Sequence, residues 1–152
     1  MNISAKSDYA VRAMLTLAGT EGTKPIKGEL LARAQDIPVK FLENILLDLR
    51  RAGLVASQRG ADGGYRLSRP ADAITIAEVI RAVDGPIANI RGLRPESAEY
   101  TGVAEPMREV RVEMRAALRS VLEAVTLADV ASASLPAVVR DLCADPDAWA
   151  PH

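Results

Sequence analysis

The chain has 152 residues, 49% of them apolar, enough for one domain with a real core or a small domain with an appended arm. One cysteine, Cys143, and one histidine, the terminal His152, exclude an internal disulfide and almost empty the set of soft metal ligands, so no metal site and no cofactor is expected. The formal net charge is −1, yet residues 1–69 hold 11 Lys and Arg against 7 Asp and Glu while residues 70–152 hold 8 against 13, which assigns any polyanion to the first half.

Ala10, Ala13, Met14, Leu17 and Ala18 recur at helical spacing behind the capping serines Ser4 and Ser7, which predicts a first helix ending near Gly19 with Lys6 and Arg12 on its polar face. "TEGTKPIKG" reads as a loop. "ELLARAQ" is a short helix, "DIP" breaks it, and Pro38 suits the first turn of a longer helix, "VKFLENILLDLRRAG", closed by Gly53. Leu42, Ile45, Leu46 and Leu49 share one face of that helix; Lys40, Glu43, Asn44 and Arg51 share the other. Such a pair is either a helix-turn-helix with a groove-reading second helix or an ordinary core helix with a solvated face.

The next stretch bears on that choice. "LVASQ" is β-prone, "RGADGG" is a turn with Asp62 and Gly63 at its tip, and "YRLS" alternates Tyr65 and Leu67 inward with Arg66 and Ser68 outward. A helix-turn-helix followed by a hairpin is a winged helix, whose slim glycine tip can follow the DNA backbone or place an arginine in the minor groove. The rival reading, a nucleotide phosphate cradle, lacks GxxxxGK[ST] and a following helix N-terminus.

Thr75 with Glu78 makes a capping box, Ile74 with Val79 a hydrophobic staple, and Gly85–Pro86 a stop, so "ITIAEVIRAVDGP" is a packing helix. Residues 87–105 are a connection. From Pro106 the spacing of Met107, Val110, Met114, Ala117, Val121, Ala124 and Ala128, widened by Leu118, Leu122 and Val125, predicts one helix of about 20 residues. Such a stripe is covered by a second copy or by its own domain; the first is the expectation, because DNA readers of this size commonly bind two half-sites as symmetric dimers. The tail from Leu135 reads as a short helix and a frayed end, with Cys143 and Trp149 as packing residues.

The segments "SAKSDYAVRAMLTLA", "IPVKFLENILLDLRRAGLVASQRGADGGYRLSRP", "ITIAEVIRAVDGP" and "TLADV" resemble the Rrf-two family of bacterial transcription regulators. The resemblance implies a mainly α fold: a winged helix-turn-helix over 1–86, a connection over 87–105, and a long dimerisation helix and tail over 106–152. It implies a homodimeric DNA-binding regulator, with the minor-groove arginine on Arg59 and recognition-helix contacts on Pro38 to Asn44. The expected DNA-binding set is Lys6, Pro38, Val39, Lys40, Glu43, Asn44, Arg51, Ser57, Arg59, Gly60, Gly63, Gly64 and Tyr65. The expected dimerisation set is Met107, Val110, Met114, Ala117, Leu118, Val121, Leu122 and Val125.

Many members hold an iron-sulfur cluster on cysteines in the connection, but residues 87–105 here contain neither Cys nor His. The expectation is therefore a cluster-free repressor of a palindromic operator, controlled by a small molecule or partner protein where the connection meets the first and dimerisation helices. The alternatives are a winged-helix protein-interaction module that reads no DNA and a thiol redox switch through Cys143. Enzymatic function is not expected, since one His and one Cys build no nucleophile–base pair. No run of about 18 apolar residues occurs and Lys6, Asp8 and Arg12 interrupt the N-terminal segment, so a cytoplasmic protein without a membrane span or signal peptide is expected.

Overall fold

The computed structural model describes residues 3–19, 24–90 and 92–151. Residues 20–23 of the loop expected after the first helix, and His152, lie outside the described residues. Helix α1 (Ala5–Ala18) starts where Ser4 Oγ accepts the Ser7 amide at 2.9 Å, and it buries Ala10, Ala13, Met14 and Leu17. Helices α2 (Gly28–Gln35) and α3 (Val39–Arg51) are joined by Asp36, at a left-handed φ of 51°, and by Ile37, which turns inward to 4% exposure. The Ile37 amide closes the break by bonding the Ala32 carbonyl at 2.9 Å. Leu42, Ile45, Leu46 and Leu49 of α3 then enter the core, as their spacing predicts.

Strand β1 (Val55–Gln58) pairs antiparallel with β2 (Gly64–Leu67), Val55 opposite Leu67 and Gln58 opposite Gly64. Ile26 adds a one-residue third strand, its N–H bonding the Tyr65 carbonyl at 2.9 Å and its carbonyl accepting the Tyr65 N–H at 2.8 Å. This close approach needs Gly64, where a Cβ would stand 2.5 Å from the Ile26 carbonyl carbon and 2.9 Å from the Lys27 nitrogen. The tip is formed by Ala61 and Asp62, not by Gly63 as the sequence suggests. Gly63 is folded inward, its amide 3.0 Å from the Gly60 carbonyl, with no room for a Cβ beside the backbone of Gln58 and Arg59.

Helix α4 (Ile76–Asp84) carries the expected capping box, and the staple residues Ile74 and Val79 are fully buried. The connection contains short 3-10 turns at Pro95–Ser97 and Gly102–Ala104. Helix α5 (Met107–Leu122) has 16 residues, about 24 Å at the usual rise, and stops short of the longer helix that the apolar spacing suggests. A second helix, α6 (Leu127–Ala131), begins at Thr126, whose side chain accepts the Asp129 amide in a further capping box. The Ile76 amide bonds the Val125 carbonyl at 2.9 Å and the Leu127 amide bonds the Ile74 carbonyl at 3.0 Å, seating Val125 and Leu127 in the core. Residues 126–131 thus pack on α1 and the turn at Ala71–Ala73, with the winged helix rather than with the arm beyond it.

Helix α7 (Ala137–Cys143) and a 3-10 turn at Pro146–Trp149 complete the described chain. Here Cys143 and Trp149 are exposed rather than packed, and the indole N–H reaches only the Cys143 carbonyl, at 2.8 Å. Among the described residues no helix is long and apolar enough to cross a membrane. Because Gly64 admits the Ile26 backbone, Gly64→Ala is expected to lower stability by about 1–3 kcal/mol, read as a shift of the urea midpoint; an unchanged midpoint would show that the third strand does not hold the wing.

Candidate nucleic-acid interface

The outer surface of α3 is built by the register that buries its leucines. Pro38 occupies the cap position without a side-chain hydrogen bond, and its carbonyl accepts the Phe41 and Leu42 amides, both at 3.0 Å. Val39, Lys40, Glu43 and Asn44 are all exposed along the first turn and a half. Asn44 Nδ2 turns back to the Lys40 carbonyl at 3.4 Å, while the side chains of Lys40 and Glu43 have no hydrogen bond or ion pair among the described residues. Phe41 stands edge-on to Tyr9, ring centroids 5.7 Å apart, which fixes the start of α3 against α1.

On the wing, Arg59 and Gly60 are exposed and Arg59 has no ion pair among the described residues. Ser57 Oγ is 3.3 Å from the Arg50 guanidinium, a contact that ties the end of α3 to the wing. Arg51 projects outward, 71% exposed, with Asp48 at 3.7 Å. Three of the expected contact residues are also engaged within the fold. Lys6 Nζ lies 2.7 Å from Asp48 and 2.9 Å from the Val83 carbonyl, so it stitches α1 to α3 and α4. Gly63 is buried in the turn, and Tyr65 is half-buried with its ring against Gly28.

Two further cations stand beside the wing. Lys24 and Lys27, both exposed, line one 620 Å³ groove together with Ala61, Asp62 and Gly63 of the wing. The signal available was a lysine on either side of Pro25–Ile26, in a stretch that reads only as loop because a one-residue strand has no periodicity.

The expected dimerisation residues divide between two faces of α5. Met107, Val110, Met114 and Ala117 are exposed and Val121 is half-buried. Leu118 and Leu122 instead point back into a 430 Å³ groove lined by Ile3, Ile80 and Ile87, and Val125 lies beyond the helix, in the core. That groove sits where the connection meets α1 and α5. Toward the connection, Arg115 Nη1 meets Glu96 at 2.5 Å. At the end of α5, Glu123 joins Arg119, at 2.8 Å, to Arg81 of α4, and these two guanidiniums hold its carboxyl down at about 2.

The Rrf2 family model, described as an iron-dependent transcriptional regulator, matches residues 3–133. Over 145 residues the chain is 46% identical to an HTH-type transcriptional regulator of Mycobacterium tuberculosis strain H37Rv, covering 95% of this chain and 90% of that protein. It is 38% identical over 133 residues to the HTH-type transcriptional regulator CymR of Bacillus subtilis strain 168, covering 87% and 91% of the two chains. Among solved structures, CymR, the global cysteine regulator of B. subtilis, superposes with a TM-score of 0.73 at 37% identity over 87% of this chain and 97% of that one. IscR of T. potens superposes with a TM-score of 0.69 at 29% identity over 100% and 94%. The helix-turn-helix, its wing and these likenesses agree: the chain belongs to the Rrf2 family and is a winged-helix DNA-binding transcriptional regulator, not an enzyme.

Proposed function

We propose that the chain is a homodimeric repressor of a palindromic operator, holding no iron-sulfur cluster and controlled by a small molecule or a partner protein. The observation that carries the DNA-reading surface is the pairing of its cations. Lys24, Lys27, Lys40, Arg59 and Arg66 are exposed without a carboxylate partner among the described residues, and all five lie on the helix-turn-helix, on the segment just before it or on the wing. Guanidinium and ammonium groups left free on one such surface are what phosphate neutralisation requires, and a protein adaptor has no need of them. In this reading Arg59 enters the minor groove, Lys40, Glu43 and Asn44 meet base edges, and Lys24, Lys27 and Arg51 meet phosphates.

The dimer rests on the outward face of α5. Met107, Val110 and Met114 are between 37% and 48% exposed in the protomer, and no residue of α5 is fully buried. A second copy that lays the same stripe against this one covers both at once, which is the self-complementary contact of a two-fold dimer.

The family description names iron, and the donor set does not fit a cluster. Cluster ligation draws on several thiolates, with imidazole an occasional substitute. Residues 87–105 offer neither, Cys143 stands alone on α7, and among the described residues no group of three His, Cys, Asp or Glu is placed to hold a metal ion. Glu96 of the connection is already engaged by Arg115 of α5.

Three outcomes follow. Arg59→Ala weakens binding to a DNA fragment recovered by genome-wide capture by about 1–3 kcal/mol, measured by gel shift at fixed salt, with its urea midpoint unchanged; equal affinity removes the wing arginine from the interface. Met114→Glu places two charges in the dimer seam, so light scattering shows a monomer and DNA affinity drops with it; a wild-type monomer would remove the premise. Protein purified without oxygen is colourless and free of stoichiometric iron, whereas a coloured, iron-bearing preparation would overturn the cluster-free reading.

A further inference from the structure

Three arginines of the second half converge away from the helix-turn-helix. Arg81 from the last turn of α4, Arg94 from the connection and Arg115 from α5 line one cavity of 280 Å³, whose remaining wall is Gly85, Pro86 and Ile87. Two carboxylates serve this cluster. Glu96 holds Arg115 Nη1 at 2.5 Å, and Glu123 holds Arg81 and is shared with Arg119, at 2.8 Å from its Nε and 3.3 Å from its Nη2. Arg94 has no ion pair among the described residues and reaches Glu96 only through space. Of the three guanidiniums that line the cavity, Arg115 is held by Glu96 and Arg81 by Glu123, which leaves Arg94 as an unbalanced positive charge; Arg119, on Glu123, lies outside the lining. The Arg115 side chain is only 18% exposed, and its Nε, like that of Arg111 one turn earlier, is a buried donor without an acceptor.

We propose that this cavity binds a small organic dianion, a phosphate ester or a dicarboxylate, and that the dianion is the regulatory ligand; the inference rests on the effector-controlled reading above. With Glu96 displaced from Arg115, Arg94 and Arg115 present two positive charges, which matches a dianion, and planar guanidiniums from three segments suit paired oxygens. The volume admits a compact molecule and excludes a polymer. Gly85, Pro86 and Ile87 also border the apolar groove beside Leu118 and Leu122, so the carbon skeleton has a dry surface to lie on.

Regulation follows from where the arginines are anchored. Helix α4 packs directly on α1 and on the reader helix α3, the connection carries Arg94 and Glu96, and α5 carries the exposed dimer stripe on its opposite side. A dianion that bridges Arg81, Arg94 and Arg115 competes with Glu96 for Arg115 and fixes the angle at which α5 leaves the winged helix. In a dimer built on α5, that angle sets the spacing of the two wings, and a ligand that prefers one spacing shifts the DNA-binding population.

The experiment is titration calorimetry of the full chain with inorganic phosphate, sulfate and succinate at constant ionic strength in chloride. The expected result is saturable binding of at least one probe, one per protomer. Arg94→Gln, on an exposed loop, and Arg115→Gln each weaken it by about tenfold or more, while Lys40→Gln, on the DNA surface, leaves it unchanged. Preference for phosphate and sulfate assigns an ester ligand; preference for succinate assigns a dicarboxylate. No saturable binding of any probe, or equal binding by wild type, Arg94→Gln and Arg115→Gln, overturns the site. Gel shifts on captured DNA with and without the bound probe run alongside, expected to differ for wild type and to coincide for Arg94→Gln. DNA binding with no anion binding defeats this inference alone; anion binding with no DNA binding defeats the regulator reading and leaves the site.

Discussion

Two capping threonines meet across a single antiparallel bridge, and the placement of everything beyond the winged helix depends on it. Thr75 and Thr126 lie opposite one another, each opening its own helix through a capping box, and the flanking amides of Ile76 and Leu127 bond back across the pair. The bridge buries Leu127 completely, so α6 becomes part of the core that α1 and α4 share. A helix continued straight from Met107 could not make these bonds. The backbone must leave helical geometry between Glu123 and Thr126, and α5 is thereby released as a separate arm fastened by Glu123 to Arg81.

The same constraint explains which parts of the fold were legible. Helices α1 to α4 and the wing follow from caps, breakers and spacing, because each has one buried face and a local stop: Ser4, Pro38, Gly53 and the Thr75 box act within a few residues of where they stand. The split at residue 123 was written in the sequence too, since "TLAD" at 126–129 repeats the T-x-x-acid pattern of "TIAE" at 75–78. An apolar spacing that runs unbroken through Ala124 and Val125 hides it. A local signal lost to a longer one because the deciding partner, the Ile74 to Ile76 backbone, lies about 50 residues away.

The interface was legible to the same degree and for the same reason. Exposure of Lys40, Glu43, Asn44 and Arg59 follows from the register of α3 and from the glycines of the turn. Lys6 shows the limit. On α1 it occupies a polar face, and only the arrival of Asp48 and of the Val83 carbonyl, from two other helices, turns it into an internal tie. Lys24 and Lys27 show the reverse, loop residues brought beside the wing by the two hydrogen bonds of Ile26.

The charge imbalance between the halves acquires a spatial meaning from these placements. The cations of the first half that stay free are on the helix-turn-helix, the segment before it and the wing, where they attract a polyanion. In the second half Arg81, Arg115 and Arg119 are paired with Glu96 and Glu123, while Glu99, Glu105, Glu109 and Glu113 stand exposed along the connection and α5. A DNA duplex approaching the arm, where six Arg balance six Glu over residues 87–123, therefore meets no net charge, and one approaching the wing meets opposite charge. Because the field turns the protein before contact, orientation on the duplex is selected at the encounter, and the arm is kept for contacts with a second copy and with small molecules.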